Sequence, residues 1–190
     1  MHRKRFANSL NKYVVTKRGI RVSTENVFIN KIDEIKNALN SEFYNCALAL
    51  SLTIPDICGK VEYPKEKNKS RYTKWFHEYA EKHFITLATK LPEEKIVEYQ
   101  WLTADECYAL RCSVLHAGDY NVEGINLEQI HIHAHKRKGE NYSHTIRDSR
   151  FIDIDVINLC EKLCQAAEEY YNSVGDTSRF DLDEVRIDAW

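Results

Sequence analysis

The chain has 190 residues, 43% hydrophobic and 29% charged, with 27 Lys and Arg against 29 Asp and Glu for a net charge of −2. This is the length and composition of about one soluble globular domain with a real core. The balanced charge excludes indiscriminate binding to a phosphate backbone, though not a local basic patch.

No apolar run approaches the roughly 20 residues a bilayer span needs. The basic residues near the N-terminus are not followed by the apolar core of a secretory signal. Six cysteines occur without a Cys-x-x-Cys, most of them at apolar helical positions. They read as buried thiols of a cytoplasmic protein.

Residues 1–22 form a basic arm, with His2, Arg3, Lys4, Arg5, Lys12, Lys17, Arg18 and Arg21. Two readings stand: a contact to a nucleic-acid backbone, or a solvated leader with a short strand at Tyr13-Val-Val15. From Glu25 to Leu52 the period is helical, Phe28, Ile32, Ile35 and Leu39 being continued by Phe43, Cys46, Ala47 and Leu50, and Ser41 either restarts the helix or rides on it. Ile54-Pro55-Asp56 breaks that run, and Pro55 is placed to open a short helical turn through Cys58, before Gly59. Lys60 to Ser70 is a charged loop.

A third helix is expected from about Arg71 to Leu87, with Trp75, Phe76, Tyr79, Ala80, His83, Phe84 and Leu87 inward. Residues 93–101 fit no period. Leu127 to His135 alternates, and Ser143 to Ile152 reads as the returning strand of a hairpin around Lys136-Arg-Lys-Gly-Glu-Asn141. A last helix over about Asp153–Asn172 buries Val156, Leu159, Cys160, Leu163, Ala166, Ala167 and Tyr170.

The fold expected is mainly α: a helical bundle over residues 23–173, with a β-hairpin at about 127–152 inserted before the last long helix. The arm 1–22 precedes it and an acidic tail, 174–190, follows.

The stretch between the third helix and the hairpin, Thr103 to Gly118, carries both of its own boundaries. Thr103 and Glu106 have capping-box spacing, and Gly118 suits the left-handed residue that closes a helix. Ala104, Cys107, Ala109, Leu110, Cys112, Val114, Leu115 and Ala117 make it apolar on nearly every side, as a buried helix is. Set into it are Arg111 and His116, polar groups whose burial costs several kcal/mol, about 2–7, unless each finds a partner.

The spacing Arg-x4-His is weak by itself, since about one such pair arises by chance in a chain of this composition. Arg71…His77 and Arg137…His144 fit a gap of four to six as well. Context separates Arg111 and His116, because these two alone lie inside an apolar, doubly capped helix.

Other constellations carry less. His131, His133 and His135 would share a strand face, with His144 across the hairpin, and imidazoles so arranged can hold zinc. No Cys, Asp or Glu completes a recognised spacing, so neither a metal nor any other cofactor is expected. Cys160 and Cys164 face the core. Cys107 and His116 are nine residues apart, or two and a half turns, which sets them on opposite sides of the helix.

Leu110-Arg-Cys-Ser-Val-Leu-His-Ala-Gly118, late in a bundle, resembles the Arg-x4–6-His motif of the HEPN superfamily (higher eukaryotes and prokaryotes nucleotide-binding). The order of helices over residues 25–172 resembles that family more loosely. The resemblance implies a metal-independent endoribonuclease that leaves a cyclic phosphate and a 5′-hydroxyl. Arg111 would lie on the scissile phosphate and His116 would be the general acid or base, with Ser113, Tyr108 and Asp119 near enough to support them.

Because residues five apart on an α-helix point about 140° apart, convergence of the pair is expected from two protomers meeting in a homodimer through the 103–118 helix. The residue after the Arg is often Asn, Asp or His in the family, and here it is Cys112. Two alternative readings stand: a non-catalytic HEPN-like module that binds RNA, a nucleotide or a partner protein, and a structural pair in which Arg111 meets a buried acid and His116 a backbone carbonyl, both merely holding the bundle together. By resemblance the role is a toxin or phage-defence effector, with an antitoxin or regulatory subunit as partner, in the cytoplasm and away from membranes.

Overall fold

A computed structural model of the chain describes residues 13–16, 19–22, 27–90, 94–117, 129–134, 146–147 and 151–180. The fold is mainly α, a helical bundle with small β-elements at its edges. Two short strands, β1 (Tyr13–Thr16) and β2 (Gly19–Val22), pair as an antiparallel hairpin. The helices are α1 (Val27–Asn40), α2 (Tyr44–Ser51), α3 (Ile54–Glu62), α4 (Asn68–Trp75), α5 (Ala104–Cys112) and α6 (Val156–Ser173).

Of the two readings of the first third, restart is the one observed, with α2 beginning at Tyr44, three residues past Ser41. Glu42 takes a left-handed backbone, φ 63°, which no helix interior accommodates, and α2 restarts two residues later. The change of direction leaves Phe43 64% exposed and Cys46 exposed, against the inward positions expected for both. Pro55 opens α3 as expected, but the helix runs through Gly59 to Glu62. Gly59 is where α3 and α4 meet: a Cβ there would stand 2.6 Å from the Arg71 carbonyl oxygen.

The third helix expected over 71–87 begins earlier and ends earlier. After α4 the chain widens into a π-helical turn, Phe76–Ala80, tightens into a 3-10 turn, Glu81–Phe84, and leaves as strand β3 (Ile85–Lys90). Trp75, Phe76, Ala80 and Phe84 are buried, but Leu87 is 68% exposed on the strand. Residues 95–100, which fit no period, are strand β4 (Lys95–Gln100), antiparallel to β3.

Before α6 lies a three-stranded sheet of β5 (Gln129–His133), β6 (Ile146–Arg147) and β7 (Phe151–Asp155), in the order β5-β7-β6. The hairpin ahead of the last helix is β6–β7. The expected pairing of 127–135 with its return is corrected: β5 runs parallel to β7, His131 opposite Asp153. β7 is central because Ile152 and Ile154 are both buried, and residues 134–150 exceed the dozen or so a parallel crossover needs.

Asp155 then caps α6, its carboxylate accepting from the Ile157 amide at 2.9 Å. Every residue expected to face inward on α6 is buried, Cys160 and Cys164 included. Trp75 meets Tyr170 edge-on at 5.7 Å, and Phe180 stacks on Phe28 at 4.6 Å. Residues 177–180, assigned by sequence to the tail, therefore close one end of the core. Among the described residues no helix is long and apolar enough to cross a membrane.

Candidate functional site

The site is built on α5, which the sequence equips to start in one place. Thr103 accepts from the Glu106 amide at 3.3 Å, and the Glu106 carboxylate accepts from the Thr103 amide at 2.8 Å, a complete capping box. Buried Tyr72 of α4 pins α5 to the bundle. Its hydroxyl donates to the Leu52 carbonyl at 3.3 Å and lies 3.3 Å from the Cys107 sulfur. Burial pushes the Cys107 thiol up to about 12, so it is a packing group and no nucleophile.

α5 is not buried all round. Cys107 and Leu110 are buried, whereas Ala104, Ala109, Cys112, Val114 and Leu115 are only half-buried. One side of the helix thus borders solvent, and that side carries Arg111 and His116. The helix also does not stay α-helical: over Ser113–Ala117 it widens into a π-helical turn. In such a turn the chain closes i→i+5 bonds, so the residue five positions on returns towards the first.

This removes the expected 140° divergence. Arg111 Nη1 lies 2.9 Å from His116 Nε2 within a single chain. π-turns inside α-helices occur frequently at functional sites.

The other edge of the Arg111 guanidinium is held by Asp56, from the first turn of α3. Arg111 Nε donates to Asp56 Oδ2 at 2.9 Å, and Nη2 lies 2.8 Å from the same oxygen. The helix N-terminus favours a carboxylate there. Burial works against the charge on Arg111, but Asp56 and the Cys112 thiol outweigh it and hold the guanidinium above its ordinary pKa. Asp56 Oδ1 is buried without a hydrogen-bond partner among the described residues. The arginine is therefore oriented from beneath by an acid, while its outer nitrogen meets an exposed imidazole.

Asp56 is the site residue that sequence reasoning passed over, reading Ile54-Pro55-Asp56 only as a break. The available signal was an acid in a helix first turn among Ile54, Ile57 and Cys58.

Of the supporting residues expected, Tyr108 lies one helical turn from Arg111 and is half-buried. Burial, followed by a hydrogen bond with Cys112, raises its phenol pKa. Ser113 is buried at the head of the π-turn, its amide bonded back to the Ala109 and Leu110 carbonyls; it does not line the solvent side. Asp119 lies outside the described residues.

On the strand face, His131 is exposed and His133 Nδ1 is 2.5 Å from Asp153 Oδ1. His135 and His144 lie outside the described residues. Among the described residues no three His, Cys, Asp or Glu side chains gather as a metal would need.

Compared with known proteins, the chain matches no family model, no curated protein and no solved structure.

Proposed function

We propose that the chain is a metal-independent endoribonuclease of HEPN type, with His116 as general acid or base and Arg111 on the scissile phosphate. The observation that carries this reading is the 2.9 Å pairing of Arg111 Nη1 with His116 Nε2 on a half-exposed π-turn. An arginine only donates hydrogen bonds, so His116 offers a lone pair at Nε2. When Arg111 Nη1 turns from the imidazole to the scissile phosphate it frees that lone pair, and Nε2 takes the proton of a ribose 2′-hydroxyl as the oxygen attacks the adjoining phosphorus. The bond from phosphorus to the 5′-oxygen breaks, giving a 2′,3′-cyclic phosphate and a 5′-hydroxyl. Arg111 carries the charge that grows on the phosphate oxygens.

The leaving oxygen also needs a proton. A homodimer through the 103–118 helix would supply it from the partner subunit's His116, since a two-fold contact presents both motifs to one cleft. The role that fits is a cytoplasmic toxin or phage-defence effector with an antitoxin or regulatory subunit.

Two observations favour the alternative, a non-catalytic module that binds RNA, a nucleotide or a protein. Arg111 already has a carboxylate partner in Asp56, and Cys112 stands where the family often has Asn, Asp or His. RNA cleavage in EDTA separates the two readings. The nuclease should yield cyclic phosphate ends and lose activity in folded Arg111→Ala and His116→Ala. Binding of RNA with no turnover across varied sequences would leave the module.

A further inference from the structure

Beside the Arg111–His116 pair are two residues that the cleavage step does not use. Tyr108 precedes Arg111 by three positions on α5, so the two lie on one face a turn apart. Its ring is half-buried and held by edge contact with buried Tyr72, centroids 5.2 Å apart at 73°. The Lys69 ammonium, from α4, stands 5.9 Å from the Tyr108 ring centroid and 3.0 Å from Asp105 Oδ1. That ion pair is well exposed, 63% and 65%, and pairs of this kind contribute little and exchange readily. A fixed aromatic ring and a movable cation thus adjoin an arginine one turn away.

We propose that Tyr108 and Lys69 form a subsite for the unpaired nucleotide that adjoins the phosphate on Arg111. The base stacks on the Tyr108 ring in the space Lys69 now occupies, and the ammonium moves from Asp105 to that nucleotide's phosphate. This rests on the RNA reading above and assigns to it the residues that hold the nucleotide beside the cut. An A-form duplex keeps its bases stacked inside and offers none to an aromatic ring, whereas loops and free strands do. Asp105 is the group the substrate displaces. A net charge of −2 suits a site that meets few phosphates.

The test is binding of a fluorescent 2′-O-methyl RNA oligomer, which lacks the attacking hydroxyl and stays intact, measured single-stranded and as a duplex. Single strands should bind in preference. Tyr108→Leu should weaken binding about tenfold, the worth of one stacked base, and Tyr108→Phe should restore it. Lys69→Ala should reduce the slope of log affinity against log salt by about 0.7, one phosphate contact on a single strand. Asp105→Asn should tighten binding, an effect of opposite sign that a purely structural role for the pair would not produce.

Wild-type affinity in both Tyr108→Leu and Lys69→Ala, or no binding of the oligomer by the wild-type protein, overturns the subsite. Cleavage of unmodified RNA then still decides the nuclease reading separately. Binding that depends on Tyr108 and Lys69, even without any cleavage, supports the subsite and removes only the catalytic step.

Discussion

Arg111 Nη1 donates to His116 Nε2 across 2.9 Å, five residues along one helix. Because a guanidinium has no acceptor, this contact fixes the neutral imidazole with its proton on Nδ1. Two-bond nitrogen–proton correlation spectra of the neutral ring should therefore show His116 as the Nδ1–H tautomer. Arg111→Ala should abolish that preference. A predominant Nε2–H form in the wild-type protein would mean that the contact is absent in solution.

Asp56 and Arg111 should be energetically coupled. Arg111→Ala leaves the Asp56 carboxylate, 15% exposed, without its cation, and should cost about 2–3 kcal/mol, less than the loss from a fully buried pair. Asp56→Asn should cost less, about 1 kcal/mol, because a neutral amide tolerates the site better. In urea unfolding the double variant should fall short of the sum by at least about 0.5 kcal/mol. Strict additivity would show that the ion pair does not hold the arginine in place. RNA cleavage by Asp56→Asn should also fall, since Arg111 loses the group that orients it.

Gly59→Ala sets two effects against each other. Alanine gains about 1 kcal/mol of intrinsic helix stability over glycine. Its Cβ, however, would stand 2.6 Å from a backbone oxygen of α4, which cannot rotate aside, and overpacking of this kind costs about 1–3 kcal/mol. The net effect should be destabilising, visible as a lower melting temperature. A melting temperature raised by the substitution would mean that α3 and α4 cross less closely.

Burial pushes Cys107, Cys160 and Cys164 up to about 12 from an ordinary value near 9. The native state keeps these protons where the unfolded chain has released them. Their contribution to stability is thus complete below about pH 9 and is lost as pH rises towards 12. The slope should approach 1.4 kcal/mol per pH unit for each thiol, as ~2.3RT requires. Urea midpoints at pH 8 and pH 10 measure it, and a midpoint unchanged between them would contradict this burial.

The β3–β4 hairpin and the turn that precedes it should respond oppositely to substitution. Leu87 and Ile96 are 68% and 71% exposed, so Leu87→Thr and Ile96→Thr should each shift stability by no more than about 0.5 kcal/mol. Phe84, three positions before Leu87, is fully buried between Phe76 and Trp101, and Phe84→Ala should cost about 3–5 kcal/mol. Thermal melts of the three variants would show whether the helical run ends before residue 87, as the structure has it.

Features controlled by short-range chemistry were legible in the order of residues alone. Thr103 and Glu106 mark the start of α5 because a capping box is closed within four residues. The inward residues of α6, from Val156 to Tyr170, follow from a helical period unbroken by Gly or Pro. The mainly α class was legible for the same reason, as was the presence of strands before the last helix.

Features that depend on distant partners or on a change of period emerged with the packing of the chain. Asp56 reaches Arg111 across 55 positions, and nothing local to either residue announces the other. The π-turn at 113–117 looks like α-helix in composition, because one residue per turn is too small a change for an apolar pattern to reveal, yet it brings Arg111 and His116 into contact. β5 beside β7 in parallel was equally hidden, since alternation specifies a strand and its faces but not its neighbour or direction. Leu87 and Phe43 kept helical spacing with apolar side chains and still face water, because the chain had already turned before each of them.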